Sequence, residues 1–168
     1  MDKDPSDPGF DPLEEAQRQW LAHDLGEDLA MATATSIIHA QQVVTTAIER
    51  ALRPLDLTFA RYEILMLLSF SRAGALPITK VGERLLVHPT GITKLVDKLE
   101  AQGLVRREPN PNDRRGVLAR VTPEGRRVGT RASKVLAGVR FGADLPEEDL
   151  LQLVDLLRRL RGAGRIEG

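Results

Sequence analysis

Cysteine is absent from the 168 residues, which removes disulfides, thiolate zinc sites, iron–sulfur clusters and thiol redox sensing at once. Aromatic residues make up only 4% of the chain, so leucine, valine, isoleucine and alanine must fill the core. The three histidines, His23, His39 and His88, show no ligand spacing, and no metal or other cofactor is expected. No apolar run is long enough to span a membrane, and the opening MDKDPSDPGF is acidic and proline-bearing, unlike a signal peptide or anchor. A cytoplasmic protein is expected. Also missing are a nucleophile elbow, a phosphate-cradling glycine loop, a metal-binding pair and a carboxylate dyad in an apolar setting, so an enzyme is not expected.

Net charge is lacking too, with 24 basic and 24 acidic residues, yet the charges are segregated. Residues 72–131 hold thirteen Lys and Arg against six Asp and Glu, leaving eleven against eighteen elsewhere. A charge run is ordinarily a solvated face, so the motifs within the basic stretch must decide its meaning.

Residues 1–12 carry four Asp, three Pro and a Gly and read as a flexible tail. A short amphipathic helix follows, with Leu13, Ala16, Trp20 and Leu21 on one side. Leu29, Thr33, Ile37, Ala40, Val44, Ile48 and Leu52 fall three or four apart in a stretch without Pro or Gly, which predicts one long helix ended by Pro54. Thr58 caps a second, Phe59 to Ser71. Arg72–Leu76 reads as a small loop. A short helical pattern holds Ile78, Val81, Gly82 and Leu85. After a break, Pro89 opens a further helix with Ile92, Leu95, Val96 and Leu99 facing inward. Leu104–Glu108 and Val117–Val121 read as strands joined by the breaker-rich 109–113. Thr122-Pro123 starts a helix reaching about Arg140. Asp144 and Pro146 open a last one, in which Leu150, Leu151, Leu153, Val154, Leu156, Leu157 and Leu160 cover more than half the circumference.

The helix from Pro89 and the hairpin after it carry the candidate chemistry. Outward positions on the helix are His88, Pro89, Thr90, Gly91, Thr93, Lys94 and Lys98. Threonines can bond bases or phosphates, lysines can reach a guanine edge or a phosphate, Gly91 permits close approach, and a helix N-terminus favours phosphate. His88 is equally a cap or a surface residue. The hairpin tip presents Arg114 and Arg115, suited to a narrow minor groove, with Asp113 either orienting them or serving only the turn. Of Arg106 and Arg107, one is expected to face phosphate and the other solvent or Glu108.

LTFARYEILMLL at 57–68, LVHPTGITKLVDKLEAQGLVRR at 86–107 and DRRGVLARVTPEGRR at 113–127 together resemble the MarR family of bacterial transcription regulators. The resemblance spans roughly residues 29–160. Its most specific element is an Asp-x-Arg at the wing followed by Val-Thr-x-x-Gly, here Asp113, Arg115, Val121, Thr122 and Gly125. It implies a mainly α fold with a small β-hairpin wing, a winged helix-turn-helix domain at 57–127, and dimerisation helices at 13–56 and 128–162, with a tail at 163–168. It also implies a homodimer on a pseudo-palindromic double-stranded operator, with half-sites about 34 Å apart, and a ligand-responsive repressor. The very apolar last helix agrees independently, since a monomer would expose its leucines. A small aromatic or carboxylate effector is a further implication, with His39, Gln42, Phe59, Arg61 and Tyr62 on segments that would line its cavity, although each residue can equally be core or surface. A winged-helix module for protein contact would usually lose the basic residues on its outer helix face, which Lys94, Lys98, Arg114 and Arg115 argue against.

Overall fold

The computed structural model describes residues 11–26, 28–85, 89–111 and 113–163; of Pro89, Thr90, Arg114, Arg115 and Ala163 it describes the backbone alone. The chain divides into two compact units between Thr46 and Ala47.

In the first unit, helix α1 (Pro12–Ala22) starts where Asp11 Oδ1 accepts the Leu13 N–H at 2.8 Å, with Pro12 in the first turn. One orphan amide is thereby satisfied and another is absent. Leu13 and Trp20 are half-buried, while Ala16 and Leu21, expected on the same side, are exposed. Helix α2 spans Asp28–Leu52. Its apolar stripe is exposed at Leu29, Thr33 and Ala40 and half-buried at Ile37 and Val44; Ile48 and Leu52, within the second unit, are buried.

The second unit continues with a 3-10 turn at Arg53–Leu55 and helix α3 (Phe59–Phe70), whose Thr58 cap accepts the Arg61 N–H. Strand β1 (Ala75–Pro77) leads straight into helix α4 (Ile78–Leu85). Helix α5 (Pro89–Ala101), strands β2 (Val105–Asn110) and β3 (Asp113–Val121), helix α6 (Pro123–Gly138) and helix α7 (Glu147–Ala163) complete it. The sheet is antiparallel in the order β1-β3-β2.

Two sequence expectations about the sheet need correction. The 72–76 loop ends in β1, which pairs Ala75 with Arg120, Leu76 with Ala119 and Pro77 with Leu118. Three residues ending in proline carry no strand periodicity, so only the tertiary pairing defines this strand. The hairpin is also longer and its tip tighter than expected. Pro109 and Asn110 belong to β2, with a register shift between them, because β2 is an edge strand and an edge tolerates a missing amide donor.

The core joins Ile64, Leu65 and Leu68 of α3, Val81 of α4, Ile92, Val96 and Leu99 of α5, Val105, Ala119 and Val121 of the sheet, and Ala132 and Leu136 of α6. Each fully buried Val, Leu or Ile among them contributes about 1.5–3 kcal/mol. No polar or charged side chain is buried among the described residues. Helices α3 and α6 approach closely at Gly129, where an added Cβ would lie 3.1 Å from Met66 Sδ. Beside that point Tyr62 Oη and Ser133 Oγ share a 3.1 Å hydrogen bond.

Candidate nucleic-acid interface

Helix α5 has two faces with different work. Ile92, Val96 and Leu99 are no more than 1% exposed and fasten it to α3, α4 and the sheet, with Leu95 half-buried beside them. Thr93, Lys94 and Lys98 are exposed, and Gly91 is half-buried. Spacings of three and four bring Gly91, Lys94 and Lys98 onto one stripe. Among the described residues no carboxylate pairs with Lys94 or Lys98, so both ammonium groups are available to an anionic partner. His88 lies outside the described residues. Pro89 and Thr90 form the first turn of α5, and Arg114 and Arg115 lie in β3, all four with side chains outside the description.

At the wing tip, a Cβ added to Gly116 would meet Asp113 Oδ2 at 2.8 Å and Asn110 Nδ2 at 3.1 Å. The Asp113 carboxylate therefore sits over Gly116. Gly116 escaped the sequence reading; its position three residues beyond an Asp in a tight tip was the available signal.

The two arginines of β2 separate onto opposite faces. Arg106 is exposed and its Nη2 meets Glu108 Oε1 at 2.7 Å; the other oxygen, Oε2, accepts from Arg120 Nε at 2.7 Å. Arg106 and Arg120 are directly opposed across the strands, a like-charge pair that Glu108 neutralises. The Arg120 hydrogen bond, with the nearby Arg106 charge, holds the Glu108 carboxyl below its usual range.

Arg107 faces the other way, towards α5. Its Nη2 lies 2.6 Å from Asp97 Oδ1 and its Nη1 2.5 Å from Glu100 Oε2, while its backbone N–H donates to Glu100 Oε1 at 2.9 Å. Two acids of α5 engage it, where the sequence expectation placed this pair against phosphate and solvent or Glu108. Strand alternation held the clue: Arg107 shares a face with buried Val105, and a cation on an inward face needs an acid.

The Arg107 amide, then its guanidinium, holds the Glu100 carboxyl below its usual 4.5. A depressed carboxylate stabilises the fold above pH 4.5, and that contribution is lost as the pH falls through the lower, folded value. Glu100→Gln should accordingly be less stable than wild type at neutral pH, with the gap narrowing below pH 4.5, in urea titrations across that range. A gap independent of pH would contradict the pairing.

The residues expected near an effector are distributed as follows. His39 and Gln42 are exposed on α2. Phe59 and Tyr62 stack with ring centroids 5.9 Å apart. Arg61 is already engaged, donating to Thr58 Oγ1 at 3.3 Å and Gln102 Oε1 at 3.0 Å, while Gln102 Nε2 donates to Asp56 Oδ2 at 2.8 Å. No group of three or more His, Cys, Asp or Glu that could hold a metal occurs among the described residues. Nor is any described helix long and apolar enough to cross a membrane.

Three helices ending in one with a basic, outward face, followed directly by an antiparallel hairpin, define the winged helix-turn-helix class. Comparison with known proteins narrows this. Residues 55–116 match the model of the MarR family. The multiple antibiotic resistance protein MarR of Salmonella typhimurium is 34% identical over 97 residues, covering 58% of this chain and 62% of that protein; the match thus spans about six tenths of that relative's length. Sco5413, a MarR family transcriptional regulator from Streptomyces coelicolor, superposes with a TM-score of 0.75 at 42% identity, over 83% of this chain and 98% of the other. Sco3205, from the same organism and family and solved in complex with DNA, gives a TM-score of 0.72 at 27% identity over 79% and 86% of the two chains. The chain belongs to the MarR family of transcriptional regulators.

Proposed function

We propose that the protein binds a pseudo-palindromic operator in double-stranded DNA as a homodimer and acts as a ligand-responsive repressor. The observation that carries this reading is the stripe of Gly91, Lys94 and Lys98 on α5, with both lysines exposed and without a carboxylate partner among the described residues. A helix of this width enters the major groove, where Thr90 and Thr93 can bond bases or phosphates and Lys94 and Lys98 a guanine edge or a phosphate. The wing then reaches the adjacent minor groove through Arg114 and Arg115, oriented by Asp113. Arg106 is the one β2 arginine directed outward, and it can exchange its Glu108 partner for a phosphate. A dimer lying across two half-sites excludes other proteins from that DNA, which is enough for repression.

Exposed apolar residues support the dimer. Leu21, Leu25, Leu29, Ile38 and Val43 are exposed in the first unit, as are Leu151, Leu153, Val154, Leu156 and Leu160 on α7 in the second. These are the segments assigned to dimerisation, 13–56 and 128–162, around the DNA-binding 57–127. For the effector, the half-buried Phe59 ring, stacked on the buried Tyr62, favours an aromatic group.

Salt dependence tests the reading. On a genomic fragment selected by the protein, log K against log salt should fall steeply, by about 0.9 per phosphate neutralised. Lys94→Ala or Arg115→Ala should weaken binding and reduce the slope by about one for each phosphate no longer neutralised. A nearly flat plot for the wild type would reject the DNA-binding assignment.

A further inference from the structure

We propose that Arg107 is a positioning residue that locks the wing to helix α5, so that the helix and the hairpin tip meet DNA as one rigid reader; this rests on the DNA-binding reading above. Asp97 and Glu100 stand on the same helix as Lys94 and Lys98, where each negative charge opposes a polyanionic partner. Both are consumed by one residue of β2. Arg107 bridges them with separate guanidinium nitrogens at 2.6 and 2.5 Å and adds its own amide to Glu100 at 2.9 Å. Three bonds onto an i, i+3 pair fix orientation as well as distance, which a single ammonium could not do.

The lever arm makes this orientation matter. From Arg107 to the tip at Pro111 is four residues, or roughly 13 Å of strand. A tilt of about 10° at the clamp therefore moves the tip by roughly 2 Å, well beyond the tolerance of about 0.5 Å within which a binding constellation works. The arginine itself spends two of its nitrogens on α5, so its contribution comes through the geometry of α5 and the wing and adds nothing to the count of neutralised phosphates.

The test compares full-length wild type with Arg107→Ala, Arg107→Lys and the double variant Asp97→Asn with Glu100→Gln. Each is titrated by fluorescence anisotropy on a fragment selected by the wild type and on random-sequence duplex, with a thermal melt to establish folding. Arg107→Ala should lose about tenfold or more in specific affinity with the wild-type salt slope retained, and Arg107→Lys, which keeps one ion pair and serves if the alanine variant does not fold, should lose less. The double variant gives the sharpest contrast. Electrostatics alone makes it bind every DNA tighter, because two negative charges leave the reading helix, whereas a broken clamp weakens operator binding while random DNA is held as well or better. Operator binding by the double variant that equals or exceeds wild type overturns the clamp. So does an Arg107→Ala slope reduced by about 0.9, which marks a direct phosphate contact. A wild type that selects no fragment overturns the DNA-binding reading, and the clamp falls with it.

Discussion

Gly125→Ala should destabilise the fold by roughly 3 kcal/mol and lower its melting temperature by about 6–12 °C. Two effects compete at this position. Alanine is the better helix former by up to about 1 kcal/mol, which alone would raise stability. Against that, an added Cβ would fall inside the contact distance of the Leu104 carbonyl oxygen, and 3.0 Å from both Leu104 C and Val121 Cγ2. The Leu104 carbonyl cannot yield, since it also accepts the Thr122 N–H at 3.0 Å. Thr122 in turn accepts the Gly125 N–H through Oγ1 at 3.0 Å and donates the same hydroxyl to Gly103 O at 2.8 Å. The Thr-x-x-Gly segment is therefore one joint: the threonine caps α6 and ties it to the β2 entry, and the glycine lets the helix come close enough for both bonds. Gly138→Ala in the same helix is the control, because its Cβ would meet nothing within 4 Å. Melting followed by circular dichroism separates the two, and a Gly125→Ala protein as stable as wild type would remove the close-approach argument.

A stop after Ala143 should leave a folded but monomeric protein whose operator affinity is at least about 100-fold weaker. Leu151, Val154, Leu156 and Leu160 on α7 are each more than half exposed, and only Leu150 and Leu157 are half-buried. This uncovered apolar face is where the proposed dimer interface falls. In the dimer proposed above, linking two half-site readers raises avidity by about 10²–10⁴ without any further bond to DNA, and the truncation is expected to forfeit that factor. Leu156→Glu, which keeps α7 but places a charge on its bare face, should act in the same direction should the shortened chain not fold. Sedimentation velocity gives the assembly state and an anisotropy titration the affinity; a truncated chain that still sediments as a dimer would rule out α7 as the interface.

Much of the architecture was legible because punctuation and periodicity agree locally. Pro89 and Thr122-Pro123 mark the starts of α5 and α6, and Ile92, Val96 and Leu99 point to the face that is buried. What stayed hidden depends on residues far apart in the chain. Ala75–Pro77 becomes a strand only because β3 lies beside it. Arg61, Gln102 and Asp56 form a polar cluster across separations of 41 and 46 residues, and no local pattern announces it. Arg107 stands between these cases: its face was deducible from alternation, its two acids only from the packing of β2 on α5. The apolar stripe of α2 was legible as periodicity, but whether a residue on it is covered, as Ile48 is and Leu29 is not, is decided by packing.

The order β1-β3-β2 also bears on solubility. A sheet of three strands leaves two open edges, and open edges invite pairing with another molecule, the first step towards fibrous aggregation. One edge here is three residues long and ends in Pro77; the other carries a charge at Arg106, a proline at Pro109 and a register shift beside it. Both edges are thereby made poor templates for a foreign strand. The exposed hairpin is in this way kept from polymerising with its neighbours.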